Sequence, residues 1–85
     1  MAELTIRYYA AARAAAGVTE ESAAAAARPA TLGEAIEQAA RRHGPELARV
    51  LTRCSYLLDG VAAHGRDTPL ADVAEIDVLP PFAGG

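Results

Sequence analysis

The stretch TLGEAIEQAARRHGP, residues 31–45, constrains the fold more than any other part of the chain. Thr31 and Glu34 have the Ser/Thr-x-x-Glu spacing of a capping box, in which each side chain satisfies an amide left over at a helix start. Leu32, Ala35, Ile36, Ala39 and Ala40 recur at i, i+3 and i+4, so a single stripe of that helix is apolar. Arg41, Arg42 and His43 fall in its last turn, where positive charge suits the dipole. Gly44-Pro45 ends it, and Leu47, Val50 and Leu51 suggest one further short helix. A helix with one apolar stripe has to bury that stripe against another layer.

The rest of the sequence supplies strands for that layer. Leu4, Ile6 and Tyr8 alternate with Thr5, Arg7 and Tyr9, a period-2 strand with one apolar face. AAARAAAG follows as a short helical turn closed by Gly17. Residues 20–26 pull two ways: alanine favours helix, but the stretch has no large apolar stripe and the first strand needs a hairpin mate. We read them as a second strand. SYLL-DG-VAAH predicts two strands around an Asp59-Gly60 turn. GRDTPLAD is a loop anchored by Leu70. Ile76 and Val78 alternate with Glu75 and Asp77 in a last strand, which Pro80 and Pro81 terminate. The order β, β, helix, β, β predicts an α+β domain, a sheet of four or five strands with the main helix across one face.

A chain of 85 residues is one domain, read here as residues 1–85, with 80–85 a flexible C-terminal tail. It buries roughly 60–65% of its extended surface. Net charge is −3 and all eight basic residues are arginine, so no lysine ε-amine is available to accept an isopeptide bond. An acidic chain with no basic stripe argues against nucleic acid as a partner. The start, MAELTIRYYA, has neither a basic n-region nor an apolar h-region. No segment nears the roughly 20 apolar residues of a membrane span. Cys54 is the lone cysteine, which excludes an internal disulfide and suits a reducing cytoplasm.

Few residues qualify for chemistry within the body. His43 and His64 lack any Cys or His at metal-ligand spacing and read as solvated surface groups, so no metal is expected. Cys54 has no neighbour in sequence that would activate it and reads as a small buried hydrophobe. Glu75 and Asp77 share one face of a strand and read as its wet side, not as an acid/base pair. No glycine-rich phosphate loop is present, so no bound cofactor is expected.

The tail is different. Pro80 and Pro81 end the pairing, and LPPFAGG closes on Gly84 and Gly85. Four residues from Phe82 to Gly85 extend about 13–14 Å, and glycine backbone enters channels in which any Cβ would clash. Such a tail can present the Gly85 carboxylate deep inside another protein.

IRYYAAARAAAG, TLGEAI, LLDGV and PLADVAEIDVLPPFAGG together resemble the ubiquitin-like β-grasp sulfur carriers, among them the small subunits of molybdopterin synthase. The resemblance spans the whole chain. It implies a β-grasp fold and a cycle in which an ATP-dependent activating enzyme adenylates the Gly85 carboxylate and a persulfide then converts it to a thiocarboxylate. ATP belongs to that partner. The second implied partner is the large subunit of molybdopterin synthase, in a heterotetramer, where the sulfur reaches the dithiolene of molybdopterin in the cytoplasm. Gly84 and Gly85 are then the reacting tail. Phe82, Ala83 and Pro81, with Arg13 and Tyr9 near the first strand, are the partner-binding residues. Ala83 stands where members of the family often carry threonine. Thiamine or cysteine biosynthesis is the alternative destination for the sulfur, and a non-sulfur ubiquitin-like protein tag or interaction module the alternative class.

Overall fold

Leu4, Ile6 and Tyr8 point to one side of β1 (Leu4–Tyr8), and all three are buried. The protein is described here from a computed structural model covering residues 3–23 and 28–81. After β1 come α1 (Ala10–Ala16), β2 (Glu20–Ala23), α2 (Leu32–His43), α3 (Pro45–Leu51), β3 (Ser55–Leu58), β4 (Val61–Ala62) and β5 (Glu75–Leu79). The strands form one five-stranded sheet in the order β2-β1-β5-β3-β4.

β1 and β5 lie parallel at the centre, in a register running from Thr5↔Glu75 to Tyr8↔Val78. Antiparallel neighbours flank them: β2 on β1, from Leu4↔Ala23 to Arg7↔Glu20, and β3 on β5, from Ser55↔Leu79 to Leu58↔Ile76. Gly17 closes α1 in the left-handed region (φ 79°), as its place in the sequence predicts. Asp59 and Gly60 both take positive φ, 51° and 84°, which lets a two-residue turn join β3 to β4 without splaying them. The Asp59 carboxylate accepts hydrogen bonds from the amides of Ala74 and Glu75, fixing the start of β5.

α2 lays Leu32, Ala35, Ile36 and Ala39 on the sheet, and these four are buried as the stripe predicts. The space between α2 and the sheet is filled: about 10 Å³ remains among Ile6, Ile36, Ile76 and their neighbours, room for about one water. At the helix start Thr31 accepts from the Glu34 amide, but Glu34 reaches back to the amide of Ala30 instead of Thr31. Two further amides of this end, on Leu32 and Gly33, donate to Thr68 and Arg66 of the loop before β5. Gly33 permits that closeness, since a Cβ there would sit 3.1 Å from the Arg66 carbonyl oxygen. Leu70 pins the same loop and is fully buried.

β2 settles the ambiguous alanine-rich stretch. Residues 20–23 are strand, and the remainder of the predicted strand, 24–26, lies outside the described residues. Glu21 holds β2 against the helix layer. Its Oε2 accepts from the Tyr8 hydroxyl and from Arg42 Nη2 at 3.0 Å, and His43 Nε2 lies 2.9 Å away. The His43 ring meets Tyr8 edge to face, with centroids 5.9 Å apart. His43 is therefore no solvated surface histidine; pairing of β2 brings Glu21 over it. Helix propensity loses here to strand pairing and this anchor.

Burial pushes the Glu21 carboxyl upward, but hydrogen bonds from Arg42, Tyr8 and His43 outweigh that and hold it below the usual carboxylate range. A carboxyl depressed in the folded state adds stability above its unfolded pKa, and that stability is lost as pH falls through the folded value. Glu21→Gln is expected to flatten the acid side of the stability profile. Thermal melts followed by circular dichroism from about pH 7 to about pH 3 should show wild type losing more than the variant. Parallel curves would remove Glu21 from the anchor.

Candidate functional site

The parallel pairing of β1 with β5 decides which end of the sheet carries the site. Both strands finish at the same end, where the Tyr9 amide donates to the Val78 carbonyl at 3.3 Å. Proline at 80 lacks the amide that would continue the ladder. Pro80 itself stays buried and Pro81 is exposed, so the chain leaves the body after Pro80, one residue later than the sequence suggests. Phe82, Ala83, Gly84 and Gly85, expected from the sequence to be the reacting and partner-binding residues of the tail, lie outside the described residues.

Tyr9 and Arg13 are brought to this exit. Backbone φ at Ala10 is positive (50°), which turns the chain sharply from β1 into α1. Tyr9 remains 39% exposed, and Arg13, one helical turn on, is exposed with no ion-pair partner among the described residues. With Arg7, Thr19 and Glu20 they line a groove of about 170 Å³. Arg7 Nε lies 3.2 Å from Glu20 and 3.8 Å from Glu75. A hydrogen bond with Tyr9 comes first among the causes that raise its pKa, followed by the charges of Glu75 and Glu20. The result is an open, mixed-charge groove with an aromatic edge, suited to a protein partner. The sequence reading named Tyr9 and Arg13 as partner-facing; the groove they line also takes in Arg7, Thr19 and Glu20, which it did not name. Only the alternation of Arg7 toward the open face hinted at it, because the groove exists once β2 has paired.

The opposite side of the exit is formed by the start of β3, where Ser55 pairs with Leu79. This places Cys54 near the tail, and a second groove of about 380 Å³ runs past Cys54, Tyr56, His64 and Arg66. The thiol is quiet nonetheless. It is half-buried, its Sγ donates to the Val50 carbonyl at 3.2 Å, and burial pushes its pKa up to about 11. His64 is exposed, as expected.

Glu75 and Asp77 lie on the sheet face turned away from α2, both half-buried, and Asp77 Oδ1 has no hydrogen-bond partner. A hydrogen bond with Asp77, then desolvation and the Asp77 charge, raise the Glu75 pKa, while Arg7 opposes them. They flank Arg7 on a flat strand face, with no nucleophile or pocket between them. Among the described residues no cluster of His, Cys, Asp and Glu could hold a metal ion, and no helix is long and apolar enough to cross a membrane. What the described surface offers is two open grooves beside a chain exit.

The sequence profile of the ThiS family matches residues 6–85. No curated protein matches the chain. Among solved structures, SAMP1 from Haloferax volcanii superposes with a TM-score of 0.78 at 24% identity, covering 98% of this chain and 99% of that one. Small archaeal modifier protein 1 from Methanosarcina acetivorans gives 0.79 at 24% identity, with 100% and 98% covered. A Pyrococcus furiosus protein provisionally named molybdopterin converting factor, subunit 1, gives 0.73 at 22%, with 96% and 100% covered. Identities this low establish the fold, which is the ubiquitin-like β-grasp.

With burial pushing its pKa up to about 11, Cys54 should carry about three-hundredfold less thiolate at neutral pH than an ordinary cysteine of pKa about 8.5. Alkylation of the folded protein by iodoacetamide should be slower than that of a free cysteine by a comparable factor and should accelerate in denaturant. Equal rates folded and unfolded would make Cys54 an accessible, activated thiol.

Proposed function

Because the chain belongs to the ThiS family, ubiquitin-like proteins of sulfur-carrier type, we propose that it carries sulfur as a thiocarboxylate on Gly85. The observation that carries this reading is the family match running through Gly85, on a chain whose central strand ends beside Tyr9 and Arg13.

A carboxylate is a poor acyl donor because its oxygen is a poor leaving group. An activating enzyme changes that by joining the Gly85 carboxylate to AMP, with loss of pyrophosphate from ATP. A persulfide sulfur then attacks the acyl carbon and AMP leaves, giving an acyl disulfide; a second thiol attacks the outer sulfur of that S–S bond, forming a new disulfide and releasing the thiocarboxylate. The carrier contributes a handle and a thread. Tyr9, Arg13 and Pro81 dock the body, Phe82 and Ala83 seat in the partner's entrance, and Gly84 lets the backbone pass. Catalytic groups belong to the partners.

For the destination we favour molybdopterin, with this chain as small subunit of a cytoplasmic molybdopterin synthase; the name of the Pyrococcus furiosus neighbour supports that choice. Thiamine and cysteine synthesis use the same carrier chemistry with another acceptor. A protein-modifier role is the second reading, favoured by the two neighbours called SAMP1 and small archaeal modifier protein 1. Co-purification with a large synthase subunit supports the first, and adducts on lysines of other proteins the second.

Intact-mass analysis after incubation with an activating enzyme, ATP and a sulfur donor should show one oxygen replaced by one sulfur. Deleting Gly85, adding an alanine after it, or Gly84→Val should abolish that gain without changing the melting temperature. Cys54→Ala should still gain it. Sulfur loading of the truncated or extended chain would make the terminal glycines idle.

Phe82→Ala is expected to leave stability nearly unchanged and weaken partner binding by about 1–3 kcal/mol, the range of an interface anchor. Calorimetric titration against the partner together with a melt separates the two effects. A large drop in melting temperature with unchanged binding would make Phe82 part of the core.

A further inference from the structure

The larger groove, about 380 Å³, is of ligand-site size, and Leu32, Leu51 and Leu57 give it an apolar lining. Most polar groups along it are already engaged. The Tyr56 hydroxyl donates to the Leu51 carbonyl at 2.7 Å, Cys54 Sγ to Val50, and the Thr52 hydroxyl to the Arg49 carbonyl at 2.7 Å. The Arg66 guanidinium, the His64 ring and the Ser55 hydroxyl have no hydrogen bond or ion pair among the described residues. No carboxylate is among the described residues that line this groove, although the chain has a net charge of −3. The adjacent acid, Asp67, is exposed and outside the lining, its Oδ1 3.0 Å from where a Cβ of Gly65 would stand. Arg66 is mounted on fixed backbone. Its carbonyl accepts from the Gly33 amide at 2.7 Å, the Leu32 amide donates to Thr68 at 3.0 Å, and the Thr68 amide and hydroxyl close back on the Gly65 carbonyl. Burial, then the Cys54 charge, push the Tyr56 phenol pKa upward, and the Arg66 charge opposes them, so that charge is felt inside the groove.

We propose that this groove docks an acidic segment of a partner protein, one that carries a large apolar side chain beside a carboxylate. The apolar side chain covers Leu32, Leu51 and Leu57, and the carboxylate pairs with Arg66. A guanidinium donates two parallel hydrogen bonds to a carboxylate, and the loop that holds it is already ordered, which lowers what binding costs. Ser55 and His64 supply further donors on the same rim. A compact anion would use Arg66 and leave the apolar lining uncovered, so a peptide is the better match. β4 is the edge strand and only two residues long, and no further strand of the described residues covers this side of the sheet. An extended segment therefore has room to lie along the groove. The site is across the exit from the Tyr9–Arg13 groove and does not depend on what the tail carries.

Three probes are titrated into the isotope-labelled full chain, with amide shifts read by NMR. They are acetylated hexapeptides with one phenylalanine or leucine between glutamates, the same peptides with glutamine for glutamate, and inorganic phosphate. The glutamate peptides should bind with a submillimolar Kd and move amides within residues 54–57 and 62–66. The glutamine peptides should bind at least about tenfold more weakly, as expected when a charged hydrogen-bond partner is lost. Arg66→Gln should weaken the glutamate peptides by a similar factor. Arg41→Glu, at an exposed position of α2 outside the groove, should stay within about twofold of wild type, since screened charges far from the site contribute little. The proposal is overturned by the absence of shifts up to about 1 mM peptide, by equal affinity of the glutamine peptides, or by shifts centred on Tyr9 and Arg13. An equal loss in Arg41→Glu would reduce the effect to net charge and overturn it too. Phosphate reproducing the peptide shifts would make the groove a simple anion site, against the proposal. Amide spectra report whether each variant is folded, and the peptide comparison on wild type decides the matter without Arg66→Gln.

Discussion

The parallel register of β1 and β5 is the constraint from which the remaining geometry follows. A parallel pair cannot be joined by a tight turn, so all other elements have to fit into the crossover between them. α2 and α3 cover one face during that crossover, and β2 and β3 take the two open flanks of the pair. The same register brings the end of the chain beside the end of its first strand, so residues separated by most of the sequence share one surface. The shared surface around the exit is a property of topology before it is a property of any side chain.

Stability at the margins depends on polar groups that tie edges down. Glu21 fastens an edge strand to the last turn of α2, drawing on Tyr8 and Arg42 as donors with His43 beside them. Asp59 caps the start of β5, and Arg28 donates to the carbonyls of Leu70 and Val73, closing the long loop onto the body. In a domain this small the apolar core is modest, and its main residues are aliphatic side chains of three strands and three helices, joined by Leu70 of the long loop. These polar ties determine where the edges sit relative to that core. Their cost is that each carboxylate has to stay ionised to hold its partners.

Much of the fold was legible in the sequence because its signals are local. The alternation in LTIRY, the Thr31–Glu34 spacing with its apolar stripe and the Asp59-Gly60 pair each encode an element within a few residues. β2 was harder, since alanine says helix and only the unpaired edge of β1 says strand. His43 was misread for the same reason: its environment comes from Glu21, twenty-two positions earlier. The tail carries no fold signal, and its reading as a reactive end rests on the resemblance and on what glycine backbone allows. Tyr9 and Arg13 came from resemblance, whereas Arg7, Thr19 and Glu20 depend on a hairpin that periodicity does not encode.

Pro80 has a mechanical consequence. It is buried immediately before the exposed Pro81, so tension applied to the tail enters the body directly through β5. β5 is bonded on both sides, to β1 in parallel and to β3 in antiparallel register. Load along its axis is therefore shared by two ladders in shear, instead of opening one bond at a time as it would at an edge strand. In the proposed carrier role, the handle offered to a partner is anchored in a strand held on both sides.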